Sequence, residues 1–160
     1  MNLELSAEQE SLATSLRTLF ARLAGPDRAR QPDQAVDAAL LDALHDSGFL
    51  DVASTEGGSL IDALLVVEAG EAAYARAPIA ARAVVAPLVL DSPPPAIGLV
   101  ETGEASLVRY AGLCDAYLVL DGPDAYHVGA DEARATPTPS RWGYPLGRVE
   151  RTAGRRLAKG

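Results

Sequence analysis

Leu12, Leu16, Leu19, Phe20 and Leu23 recur at the three- and four-residue spacing of one helical face, and Gly25-Pro26 stops the pattern. Ser6, three residues ahead of Gln9, supplies a capping box in front of that face. After a polar turn containing Pro32, Val36, Leu40, Leu41 and Leu44 form a second face that ends at Ser47-Gly48. A short connector, Phe49 to Val52, runs into Glu56-Gly57-Gly58, where the paired glycines predict positive φ or close backbone approach. Ser59 and Asp62 cap a third helix. Its apolar residues Leu60, Ile61, Leu64, Leu65 and Val67 wrap most of the circumference, which predicts burial on more than one side. Pro78 opens a fourth helix through Val84 and Val85, kinked or ended by Pro87.

The run Pro93-Pro94-Pro95 cannot continue a helix and marks a boundary between residues 1–92 and residues 96–160. Beyond it the pattern changes to short apolar stretches between turn residues: Ala96 to Val100, Ser106 to Tyr110, Ala116 to Leu120, Ala125 to Val128 and Leu146 to Glu150. Asp121-Gly122-Pro123-Asp124 reads as a hairpin turn, and Thr136-Pro137-Thr138-Pro139 as a loop or bent edge. The predicted class is α+β, with an N-terminal all-α helical domain followed by a small antiparallel, β-barrel-like domain. No internal repeat at a fixed period interrupts this order.

A chain of 160 residues buries roughly two thirds of its unfolded surface, enough for a real core. The net charge of -8 excludes nucleic acid as a partner, because phosphate binding rests on clustered Lys and Arg. The basic residues near the end, Arg151, Arg155, Arg156 and Lys159, read as a solvated or frayed terminus. The lone Cys114 has no internal disulfide partner, and no basic start with an apolar stretch behind it opens the chain. A cytoplasmic location follows. The longest apolar runs fall short of the ~20 residues that span a bilayer, so no membrane is expected.

Candidate chemistry is sparse. His45 near a helix end and His127 in a predicted strand are far apart, and with one cysteine they leave no metal-ligand spacing. Glu68 within the third helix reads as a charged helix edge, with Arg76 as its candidate ion-pair partner. Glu56-Gly57-Gly58 lacks the leading strand and following Lys-Ser/Thr of a phosphate loop. Cys114, among apolar neighbours in a strand, reads as an inert small hydrophobe.

Several stretches together resemble the acyl-CoA dehydrogenase family. Leu5-Ser6-Ala7-Glu8-Gln9-Glu10 is similar to that family's opening, and Leu41 and Leu44 into Ser47-Gly48-Phe49-Leu50 to its second-helix ending. Ala63 to Gly70 followed by Ala77-Pro78-Ile79 resembles the third helix and the entry to the fourth. In the strand region, Val108 to Asp115 with Tyr117-Leu118-Val119-Leu120, and Pro145-Leu146-Gly147-Arg148-Val149, resemble segments of short bacterial members.

The resemblance implies FAD-dependent α,β-dehydrogenation of an acyl-CoA thioester, with a carboxylate base drawn from a C-terminal helical domain beyond this chain. No catalytic residue and no metal is carried over. The implied flavin-contacting positions are Leu99, Val100 and Glu101, where the family commonly has Leu-Thr-Glu, and Leu107 and Val108, where it often has Trp before a β-branched residue. Val100 lacks the Thr hydroxyl and Leu107 lacks the flat ring, while Trp142 lies elsewhere. The chain is therefore expected to be a component or fragment of such a flavoprotein, not competent alone, homo- or hetero-oligomeric with an acyl-CoA dehydrogenase subunit. The alternative is a non-catalytic interaction subunit docking on a complete dehydrogenase.

Overall fold

A computed structural model of the chain describes residues 4–30, 36–102, 107–141 and 144–157. Helix α1 (Ala7–Leu23) starts on the expected box: Gln9 N–H donates to Ser6 Oγ at 3.2 Å and Ser6 N–H to Gln9 Oε1 at 3.1 Å. A single turn, α2 (Pro26–Ala29), follows, and Pro32 lies outside the described residues. Helix α3 (Ala38–Asp46) is capped by Asp37, which accepts from Leu40 N–H and pairs with Arg28 at 3.0 Å. The connector coils into a 3-10 turn, Phe49–Ser54. The two glycines behind it divide their expected roles. Gly57 takes φ +80, while a side chain on Gly58 would run into the Val52 carbonyl.

Helix α4 (Leu60–Ala72) carries its own capping box from Ser59 and Asp62. It lies against α1, the 3-10 turn and the segment after Pro78. Gly70 makes that contact possible, since a Cβ there would stand 2.5 Å from Ile79 Cδ1 and 3.3 Å from Phe20 Cζ. Leu16, Phe20, Leu40, Leu44, Leu50 and Val66 complete the core beneath. Burial on more than one side does not extend around the whole helix. Leu60, Ile61 and Leu64 stand 52, 53 and 50% exposed, while Ala63, Val66 and Gly70 are buried.

The fourth helix is not a regular one. It runs as a π-helical turn, Ala81–Val85, in which Ala86 N–H reaches back to Ala81 O, and then as a 3-10 turn, Ala86–Leu88. Pro87 has no N–H to continue an α-helical ladder, so the backbone changes winding around it. The widened turn contains Arg82, 1% exposed, which donates to Leu50 O at 2.9 Å and to Asp51 Oδ1 at 2.8 Å. One guanidinium thereby ties this segment to the 3-10 turn across the core.

The strands are β1 (Ile97–Glu101), β2 (Val108–Arg109), β3 (Ala116–Asp121), β4 (Asp124–Gly129), β5 (Ala133–Thr138), β6 (Leu146–Arg151) and β7 (Arg155–Arg156). They form one sheet in the order β1-β3-β4-β7 and a second in the order β2-β6-β5. The α+β order of the sequence reading holds. The purely antiparallel arrangement does not, since β1 and β3 are parallel. The chain leaves β1, places β2 in the other sheet, and returns through a turn at Tyr110 to Cys114, so β3 runs in the direction of β1. The two sheets bury Val100, Tyr117, Val119 and Val128 against Val108 and Val149, and the described strands do not close into a barrel.

Asp121 to Asp124 forms the expected two-residue hairpin, with Gly122 at φ +57. The proline-rich stretch is an edge strand, β5, in which Pro137 faces Gly147. The basic terminus is not frayed as far as it is described: Arg155 and Arg156 pair with β4, Arg156 bonds Asp124, and Leu157 is buried. Ser106 and Lys159 fall outside the described residues.

Arg82→Ala would strip the buried Leu50 carbonyl of its donor and leave a hole in the core. The expected loss is about 3 kcal/mol in urea-induced unfolding. A loss below about 1 kcal/mol would show that another contact holds the 3-10 turn.

Candidate functional site

An open cleft of about 400 Å³ separates the helices from the strands. Leu64 and Val67 of α4 form one side, Ala81, Val84 and Val85 of the π-helical turn another, and Leu99 and Leu107 the strand side. The lining is mostly aliphatic, so the cleft can hold an apolar chain by burial but has little with which to orient a polar group. One end is closed by Arg109, bonded to Glu71 of α4 at 3.2 Å. Both partners are about half exposed, 45 and 56%, so the pair contributes under about 1 kcal/mol.

A second pocket, of about 320 Å³, shares that wall. Tyr74, Arg76, Arg109, Tyr110 and Tyr144 border it together with Glu71. The Arg109 guanidinium lies 5.0 Å from the Tyr144 ring centroid and 5.5 Å from that of Tyr110. Tyr110 is buried, donates its hydroxyl to Ala75 O at 3.3 Å, and has its phenol pushed up by burial, an effect partly offset by Arg109.

The five positions marked by the resemblance separate onto different faces. Leu99 and Leu107 reach the cleft, whereas Val100 and Val108 point into the core between the sheets, and Glu101 is exposed at the end of β1. Val100 packs with Tyr117 and Val119, so a Thr side chain there would face those residues rather than the cleft.

Nor do the described residues fit FAD as a site complete within this chain. The two apolar leucines and the open edge of β1 offer surface and backbone groups for a ring. The flavin's diphosphate would need several donors, and among the described residues lining the cleft Arg109 is the one cation. Trp142 lies outside the described residues.

Among the described residues no His, Cys, Asp and Glu group could hold a metal ion. No described helix is long and apolar enough to cross a membrane. Glu68 and His45 are exposed, as a helix edge and a helix end predict. Cys114 is buried in the bend before β3 rather than in a strand, and burial, helped by Asp115, pushes its thiol up to about 12. The sequence reading missed the tyrosine–arginine pocket. Its one local signal was the clustering of Tyr74, Arg76, Arg109 and Tyr110 in two short stretches.

The architecture is that of the acyl-CoA dehydrogenase fold. The chain is similar to the ChsE4-ChsE5 complex from Mycobacterium tuberculosis, with TM-score 0.70 and 16% identity over 98% of this chain and 58% of that one. A Tcur3481-Tcur3483 steroid ACAD variant gives TM-score 0.70 and 17% identity over 94% of this chain and 56% of that one. Glutaryl-coenzyme A dehydrogenase in its glutaryl-CoA complex gives TM-score 0.53 and 12% identity over 99% and 57%. The chain thus spans a little over half the length of these structures, and at such identities what is shared is the fold. No family model matches the sequence. No curated protein matches it.

Two outcomes follow from the geometry. Val100→Thr buries a hydroxyl among apolar side chains and should cost about 1–2 kcal/mol by urea unfolding, with no gain in flavin retention. Cys114, with an ordinary value of 9.0, holds its proton in the native chain well past the pH at which an unfolded chain releases it. Its contribution to stability is therefore complete below about pH 9 and lost as pH rises toward 12, in the same direction as the burial-raised phenols of Tyr110 and Tyr117. Labelling with a thiol reagent at neutral pH should fail in the native chain and succeed in urea; native labelling at the unfolded rate would contradict the burial.

Proposed function

We propose that this chain is a component of an acyl-CoA dehydrogenase-like flavoprotein, not competent alone, in which residues 1–92 and 96–160 are two domains bordering a shared substrate site. The aliphatic cleft between α4, the π-helical turn and Leu99 and Leu107 carries the reading, because it is the kind of surface an acyl chain occupies. One of the similar structures is a complex by name, ChsE4-ChsE5, and another carries a paired name, Tcur3481-Tcur3483, which supports assembly with a second dehydrogenase subunit.

In that assembly a bound FAD would supply the redox chemistry, and the base for the α-proton of the acyl-CoA thioester would come from the partner. This chain would bury the acyl chain, exclude water through Leu64, Val67, Leu99 and Leu107, and offer the edge of β1 and its leucines to one side of the flavin. The proposed setting is cytoplasmic.

A second reading, an interaction subunit without a catalytic part, is favoured by the half-exposed Leu60, Ile61 and Leu64, a contiguous apolar strip on α4. It differs in one observable: the partner's turnover is then independent of the cleft.

The deciding measurement is a flavin absorbance spectrum with in-line molecular mass, made on the chain alone and after co-expression with a candidate dehydrogenase subunit. The chain alone should be colourless and should not reduce a dye with any acyl-CoA. The co-purified species should be yellow, at a mass above one chain, and active. Leu107→Asp should then lower its activity at least tenfold; unchanged activity would move the assignment to the interaction subunit, and turnover by the isolated chain would sink the component reading.

A further inference from the structure

Helix α4 ends in a paired closure, Tyr74 N–H to Glu71 O at 3.1 Å and Ala75 N–H to Gly70 O at 2.9 Å, which forces the residue between into the left-handed region. Glycine fills that position at no steric cost. Here it is Tyr74, at φ +55. Among the described residues the other non-glycine residue with positive φ is Tyr110, at +61. Both border the same 320 Å³ pocket. Bulky residues in this region are disfavoured, and they persist where the surrounding structure or function requires them. Burial does not explain Tyr74, whose side chain is 63% exposed. What a tyrosine supplies there, and a glycine does not, is a ring face toward the pocket.

The opposite wall is matched to the same purpose. Arg109 lies over Tyr110 and Tyr144, whose ring faces attract the guanidinium without using its N–H donors. Those donors now meet Glu71 through one contact at 3.2 Å, a half-exposed pair that a doubly bonded anion can displace. Arg76 adds a second positive side chain to the lining.

We propose that this pocket binds a small planar heteroaromatic ring bearing a phosphate, of mononucleotide size. The ring stacks against Tyr74 and the phosphate replaces the Glu71 carboxylate on Arg109. The volume is at the small end of ligand sites, which excludes a dinucleotide lying wholly within it. The site does not depend on what fills the apolar cleft.

Calorimetric titration of the full 160-residue chain with AMP tests it, with adenosine and inorganic phosphate as the separate halves. AMP should bind in the submillimolar range, and each half about tenfold more weakly or worse. Glu71→Gln, which removes the competing carboxylate, should tighten AMP binding by a few fold. Arg109→Lys, which keeps the charge but not the fork, should weaken it about tenfold.

Tyr74→Gly separates ligand contact from folding. It should raise the melting temperature by about 3 °C through relief of the backbone while weakening AMP binding at least about fivefold. The proposal is overturned if AMP gives no saturable heat at millimolar concentration, or if inorganic phosphate binds as tightly as AMP. It is also overturned if Tyr74→Gly stabilises the chain without changing affinity, which would reduce Tyr74 to a tolerated cap.

Discussion

Helix α4 is apolar around most of its circumference, and the arrangement of the chain follows from the need to cover it. One side is covered by α1, and the closeness of that cover is set by Gly70, where Phe20 and Ile79 come together over a position with no side chain. Because Ile79 must reach Gly70, the chain turns back over α4 immediately after Pro78, and the π-helical turn lies where it does. The strands then stack on that turn through Ala81, Val85 and Ala86 against Ile97 and Leu118. The cleft is the gap left between α4, the π-helical turn and the first two strands. It is lined with aliphatic groups because all three elements were already apolar for packing reasons.

Two arginines show how differently the same group acts with depth. Arg82 is fully enclosed, and its guanidinium has a carbonyl and a carboxylate fixed against it, so removing it leaves polar groups stranded in the core. Arg109, by contrast, joins the strands to α4 in contact with water, where ion pairs contribute little to stability. It is therefore free to exchange partners at small cost. The first is a structural tie and the second is suited to binding.

Local signals in the sequence were read well because their chemistry is local. Ser6 with Gln9, Ser59 with Asp62, Gly57 beside Gly58, and the Gly122-Pro123 turn each depend on atoms within a few residues. What escaped depended on distant partners. Period-two alternation separates Leu99 from Val100 but does not say which faces the cleft; that choice was made by Tyr117 and Val119 on the neighbouring strand. Arg155 and Arg156 keep exposed side chains, as solvated charge predicts, but their strand pairing with His127 and Tyr126 and the bond from Arg156 to Asp124 depend on residues far earlier in the chain. The parallel pairing of β1 with β3 required knowing that β2 joins a different sheet. Tyr74 was missed for another reason: a left-handed helix end is signalled by glycine, and a tyrosine there conceals it.

The apolar cleft and the tyrosine–arginine pocket have Glu71, Arg109 and Tyr110 in common. A ligand that draws Arg109 away from Glu71 in one space alters the wall of the other. Coupling between binding equilibria is reciprocal, so a cleft ligand that changes affinity in the pocket must have its own affinity changed by the same factor. A surface ion pair contributes well under the energy of a core contact, and this bounds the direct part of such coupling to a few fold. Coupling larger than that would require the two halves of the chain to shift against one another. The Tyr110 hydroxyl on Ala75 O resists such a shift, since it fixes the strand side of the cleft to the helical core.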